Sequence, residues 1–165
     1  MADYGRLILF VDIDGVLNTR NHLRRQMLRG KKASRFIWCP IAVAHLNLLT
    51  EKLDARIVVT STWRYEFNSL DELKSIFKKN EINPKYVIGK TPSLIYNDGS
   101  STRGDEICAW IEENDTYEYL HIILDDKDDG ISKRFDHFIH TEESSGFANK
   151  EHIKRCLLIA EKELN

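Results

Sequence analysis

The sequence predicts an α/β fold: a mainly parallel sheet of about five strands with helices on both faces. Three observations predict it. Helical and strand-like segments alternate along the chain. The strand segments are continuous apolar runs, the pattern of strands covered on both faces. Polar residues collect where those runs stop, which is where open parallel sheets bind ligands.

Each element has its own warrant. Arg6–Val11 is apolar and bounded by Gly5 and two aspartates, so it reads as a buried strand. Ile41–Leu53 is a helix with Ala42, Leu46, Leu49 and Leu53 on one stripe, and Pro40 stands where a missing N–H costs least. Ala55–Thr62 is a second buried strand, rich in β-branched residues. Ser69 and Glu72 form a capping-box pattern that opens a helix with Leu70, Leu73, Ile76 and Phe77 inward. Asn83-Pro84 breaks the chain before a short third strand, "KYVIG". Thr91–Thr102, with Pro92, Asn97, Asp98 and Gly99, is loop. Arg103–Glu113 is a helix with Ile107, Trp110 and Ile111 inward, "LHIILDD" a fourth strand and "HFIHT" a short fifth. A helix from Asn149 or Lys150 to Leu164 closes the chain, with Ile153, Leu157, Ala160 and Leu164 in register.

Composition narrows the classes. The 165 residues fit one domain, 1–165, large enough to bury a core without staples. The net charge of −2 points to no global partner. Cys39, Cys108 and Cys156 are scattered and show no C-x-x-C spacing, which argues against a disulfide framework or zinc knuckle and for a reducing, cytoplasmic setting. No apolar run approaches the roughly 18 residues a membrane span needs. The N-terminus lacks the pattern of a secretory signal. The six histidines show no metal-ligand spacing.

The strand ends hold the chemistry. Asp12 and Asp14 follow the first strand, Thr60, Ser61 and Thr62 the second, Asp125 and Asp126 the fourth. Two carboxylates that close repel unless a cation lies between them or one keeps its proton. Several carboxylates around one point suit a hard cation with oxygen ligands, of which Mg²⁺ is the usual one. One carboxylate of such a group can attack phosphorus. A second can protonate the leaving oxygen and later activate water. A calcium loop fits poorly: counted from Asp12, the glycine arrives too early and the twelfth residue is Leu23.

"VDIDGVLN", "IVVTSTWR", the basic residue heading "RGDEICAW" and "IILDDKDD" resemble, in order, the four motifs of the haloacid-dehalogenase-like (HAD) hydrolases. With "VIGKTP" they are also similar to the HAD domains of Swiss-army-knife RNA-repair proteins and to the phosphatase domains of polynucleotide kinase-phosphatases. The resemblance implies a Rossmann-like sheet and Mg²⁺-dependent phosphoryl transfer through an aspartyl phosphate. By motif, Asp12 is the nucleophile and a metal ligand. Asp14 is the general acid-base and lends the metal its backbone carbonyl. Ser61 binds the phosphoryl group, with Thr60 as the alternative. Arg103 fills the third motif, usually a lysine, with Lys90 as the substitute. Asp125 completes the metal shell, with Asp126 beside it as ligand or anchor and Asp129 a weaker candidate. Arg64 follows "STW" and is a candidate contact for a substrate phosphate; Trp63 and Trp110 read as packing residues.

One further stretch is uneven. Residues 20–38 hold Arg20, Arg24, Arg25, Arg29, Lys31, Lys32 and Arg35 and no acidic residue. Placed directly after the first motif, this is a basic flap or minimal cap, or a solvated basic helix. A basic flap attracts a polyanionic substrate. The expected partner is therefore a phosphorylated molecule, an RNA or DNA end among them, and no membrane. The rival expectations are a catalytically silent HAD fold that binds nucleic acid through this segment, and a phosphotransferase with an acceptor other than water.

Overall fold

The computed structural model describes residues 6–94 and 99–164. Residues 1–5, and Asn97 and Asp98 of the expected loop, lie outside the described residues. The elements run β1 (Leu7–Val11), α1 (Arg20–Leu28), α2 (Pro40–Leu53), β2 (Arg56–Val59), α3 (Leu70–Lys79), β3 (Val87–Lys90), α4 (Arg103–Glu113), β4 (Leu120–Asp125), β5 (Phe138–His140) and α5 (Lys150–Leu164). All strand pairs are parallel, in the order β3-β2-β1-β4-β5. The fold is the α/β, Rossmann-like one that the apolar runs predict.

The strands are short because polar groups stop them. β2 ends at Val59, before the hydroxyl run expected to extend it. Ser61 turns the chain into a single 3₁₀ turn, Thr62–Tyr65, by accepting a hydrogen bond from the Trp63 N–H. β3 begins two residues later than expected, because Pro84–Tyr86 form another such turn. α2 starts at Pro40, whose missing N–H would have no helical partner there.

Alternation along β1 fixes two cores. Leu7, Leu9 and Val11 pack on one face with Ala42, Leu46, Phe77, Ile153 and Cys156. Ile8 and Phe10 pack on the other with Ile107, Trp110 and Ile111. Successive strand residues point to opposite faces, so a strand that is 0% exposed throughout must be covered twice. The central position of β1 then puts its exit, Asp12–Asn18, between the exits of β2 and β4. Residues 20–38 open with α1, capped by Thr19, whose hydroxyl accepts from the His22 N–H. Among the described residues no helix is long and apolar enough to cross a membrane.

Candidate active site

Three carboxylates meet at this exit. Asp12, Asp125 and Asp126 each place an oxygen within 4.8 Å of the other two. Parallel pairing produces the meeting: Val11 lies in register with Leu124, so the residues that follow the two strands emerge side by side. The Asp12 N–H donates to the Leu124 carbonyl at 3.0 Å and extends that pairing by one residue. Gly15 then turns the chain away at φ +80°. A Cβ there would lie 2.4 Å from Cγ of Asp126, so only glycine leaves room for that carboxylate. Thr141, buried after β5, clamps the turn: its hydroxyl donates to the Gly15 carbonyl and its N–H to the Asp125 carbonyl.

One cation faces the cluster. Nη1 of Arg103 lies 2.5 Å from Asp125 Oδ2 and 3.2 Å from Asp12 Oδ2. Its position is set by the start of α4. Asp129 accepts from the Arg103 N–H through its side chain and from the Gly104 N–H through its carbonyl. Gly104 packs so tightly on the next loop that a Cβ would come 2.3 Å from the Gly130 carbonyl oxygen. Asp129, a weaker metal candidate by sequence, therefore caps a helix and is not part of the carboxylate cluster.

The electrostatics follow. Asp125 is 0% exposed. Burial, and then the charge of Asp12, push its carboxyl up to about 7, against the pull of Arg103. Burial and Asp12 raise Asp126 in the same way. Burial alone would lower Arg103, but Asp12 and Asp125 outweigh it and hold the guanidinium charged. Once ionised, three carboxylates against one guanidinium leave a negative excess, and a hard divalent cation with oxygen ligands suits that donor set.

Asp14 stands apart. Its carboxylate is outside the cluster. It accepts from Asn18 Nδ2 and from the Trp63 indole N–H, both at 2.8 Å. It lines an open cleft with Asp12, Thr62, Arg103, Asp126 and Lys127. Arg20 and Leu23 of α1 form one wall of that cleft.

The other expected contacts fall differently. Arg64 does not line the cleft; it is 4% exposed and bound to Glu106, the Tyr65 hydroxyl and the Thr60 carbonyl. The substrate contact expected of it is replaced by an internal ion pair. Lys90 donates to the Arg64 carbonyl at 3.3 Å and is also outside the cleft lining, so Arg103 is the cation at the cluster. Thr60 and Ser61 are buried; the Thr60 hydroxyl has no partner among the described residues. Thr62 is the hydroxyl residue of β2's exit that lines the cleft. Sequence reasoning missed Asn18 and Trp63 as partners of Asp14. Asn18 reaches Asp14 because a turn that closes on the Ile13 carbonyl returns the fourth residue after Asp14 to its side.

A Rossmann-like parallel sheet with motif aspartates gathered at the exits of its central strands defines a HAD-type domain. The sequence model of the family described as "HAD domain in Swiss Army Knife RNA repair proteins" matches residues 8–152, and the chain belongs to that family. No curated protein and no solved structure matches significantly. Membership points to a HAD-type hydrolase or phosphotransferase, a class that typically uses a divalent metal.

Proposed function

We propose that the protein is a Mg²⁺-dependent phosphomonoester phosphatase working through an aspartyl phosphate on Asp12. The observation that supports this most is the cluster of Asp12, Asp125 and Asp126 with Arg103 in contact with two of them. Asp12, Asp125 and Asp126 would hold the metal, with the Asp14 carbonyl as a further ligand. When bound, Mg²⁺ supplies charge neutralisation between nucleophile and phosphate.

An Asp12 carboxylate oxygen attacks phosphorus while the bond to the ester oxygen breaks. Asp14 gives that oxygen its proton, so an alcohol departs. The Asp14 carboxylate then takes a proton from water as the water oxygen bonds to phosphorus and the bond to Asp12 breaks. Inorganic phosphate leaves and both aspartates are restored. Arg103 offsets charge on the phosphoryl oxygens. Ser61, or Thr60, supplies a hydroxyl, and Thr62 adds one that lines the cleft.

The substrates proposed are polyanionic, phosphorylated RNA or DNA ends among them. Arg20 is paired with Glu143 and Arg35 with Glu66. Arg24, Arg25, Arg29, Lys31 and Lys32 form no ion pair among the described residues and are exposed. The local positive field registers at His22, which is lowered by burial first and then by Arg25 and Arg29. Such a face raises the encounter rate with polyanions. A phosphatase screen with Mg²⁺ across nucleotides, 3′- and 5′-phosphorylated oligonucleotides, sugar phosphates and phosphopeptides tests the reading. Phosphate release that chelator abolishes is expected. Salt-sensitive oligonucleotide binding without phosphate release would replace it with the silent-binder reading.

A further inference from the structure

A carboxylate that shuttles protons must keep one orientation through two half-reactions, and Asp14 is held at both of its oxygens. Asn18 Nδ2 donates to Oδ1 and Trp63 Nε1 to Oδ2, each at 2.8 Å. The donors come from different elements, the turn after β1 and the 3₁₀ turn after β2, so the carboxylate plane is fixed from two sides. Each carboxylate oxygen has two lone pairs, so one on each stays free for the travelling proton.

Trp63 is itself held. It is 1% exposed. Phe36 meets it edge-on at 5.3 Å between ring centroids and Trp38 at 6.1 Å. The Arg35 guanidinium lies over it, 4.5 Å from the ring centroid, and is anchored by an ion pair to Glu66. The last residues of the basic 20–38 segment thus brace the indole that holds Asp14.

We propose that Trp63 and Asn18 are positioning residues for Asp14, and that Arg35, Phe36 and Trp38 act on the reaction by bracing Trp63. This rests on the function proposed above. Without these donors the carboxylate can rotate away from the ester oxygen, and displacement of about 1 Å is worth roughly 100-fold in rate. General-acid assistance itself contributes about 10²–10⁴-fold. It matters for an alkoxide leaving group and little for 4-nitrophenolate, which departs without a proton.

The experiment compares 4-nitrophenyl phosphate with an alkyl phosphate in wild type, Trp63→Phe, Asn18→Ala and Asp12→Asn, each checked for folding by thermal melt. In Trp63→Phe and Asn18→Ala, kcat/KM for the alkyl phosphate, which reports the half-reaction that expels the alcohol, is expected to fall about 30- to 100-fold. For 4-nitrophenyl phosphate, kcat/KM should stay within about threefold of wild type, while kcat falls on both substrates wherever hydrolysis of the shared aspartyl phosphate limits turnover. Equal losses of kcat/KM on both substrates, or no loss on either, overturn the proposal. Asn18→Ala gives the same readout if Trp63→Phe does not fold. Wild type inert on both substrates, or Asp12→Asn as active as wild type, overturns the parent reading instead.

Discussion

Arg64 and Arg103 are both withdrawn from water at the same edge of the sheet, one after β2 and one at the head of α4. Arg64 meets one carboxylate, Glu106, and donates also to the Thr60 carbonyl and the Tyr65 hydroxyl, with Nε left without a partner among the described residues. That is a closed pair, neutral and internally bonded. Arg103 meets Asp12 and Asp125, with Asp126 beside them, and cannot balance all three. The difference lies mainly in charge balance, although Arg103 also borders the open cleft, with 14% of its side chain exposed against 3% for Arg64. A balanced arginine builds structure. An outnumbered one marks a place where the fold keeps unresolved negative charge, and such strain is tolerated chiefly where it serves chemistry.

The sharpest way to break the comparison is Asp12→Asn. Phosphatase turnover is expected to fall about 10³-fold or more, since the attacking oxygen is removed. The melting temperature of the metal-free protein should be no lower than wild type, because one repelling charge has gone from Asp125. A variant that keeps its activity, or melts well below wild type, would show that the cluster is structural.

Arg64→Ala tests the other side. It leaves Glu106 buried without its cation, a loss of about 3–5 kcal/mol in chemical denaturation. Replacing both partners, Arg64→Met with Glu106→Leu, should recover most of that stability. Turnover of the folded fraction should stay within a few-fold of wild type, because Arg64 is outside the cleft. A large drop in turnover at full stability would return Arg64 to the site.

Arg103→Ala should lower turnover by about 10²–10³-fold, the usual cost of one donor at developing charge. Arg103→Lys should recover part of it, since an ammonium keeps the charge and can meet two carboxylates as the single Nη1 does, but lacks the further guanidinium N–H groups that could hold phosphoryl oxygens in parallel. If Lys90→Ala gave the larger loss, the cation at the cluster would not be the one that acts on the substrate.

How much of this was legible follows the range of each interaction. The strands and the Asp12, Asp125 and Asp126 cluster could be read because apolar runs and strand-end carboxylates are local features, and a parallel sheet gathers strand ends on one edge. Arg64 and Glu106 lie 42 positions apart, and nothing local in "STWR" or "RGDEICAW" announces their pairing. The choice between Arg103 and Lys90 needed the helix start, where Asp129 and Gly104 seat the backbone that aims Arg103. Trp63 packs in the core as its size predicts, but which group receives its single N–H is a directional fact that size does not encode. The 20–38 segment showed its charge in sequence. That Arg35 and Phe36 lean on Trp63 depended on the path of the chain after α1.

The smallest effect is a pH dependence with a definite sign. Asp125 is pushed up to about 7 in the folded protein, by burial and then by Asp12, and titrates near 3.9 when unfolded. The folded state therefore holds a proton that the unfolded state releases. This contribution to stability is fully present below the unfolded value and is lost as pH rises through about 7. His22 and His121 run the opposite way: burial lowers both, so they favour the folded state as pH rises. The melting curve of wild type alone mixes these terms. The difference between wild type and Asp125→Asn removes the histidines, which both proteins share. Without metal, that difference should move against wild type by about 4–8 °C between pH 5.5 and 7.5, the shift expected for roughly 2 kcal/mol in a chain of this size. Mg²⁺ should reverse it, stabilising wild type more at pH 7.5 than at 5.5, because binding needs the carboxylates ionised. A pH-independent difference would mean that Arg103 already balances Asp125, and the contrast with Arg64 would collapse.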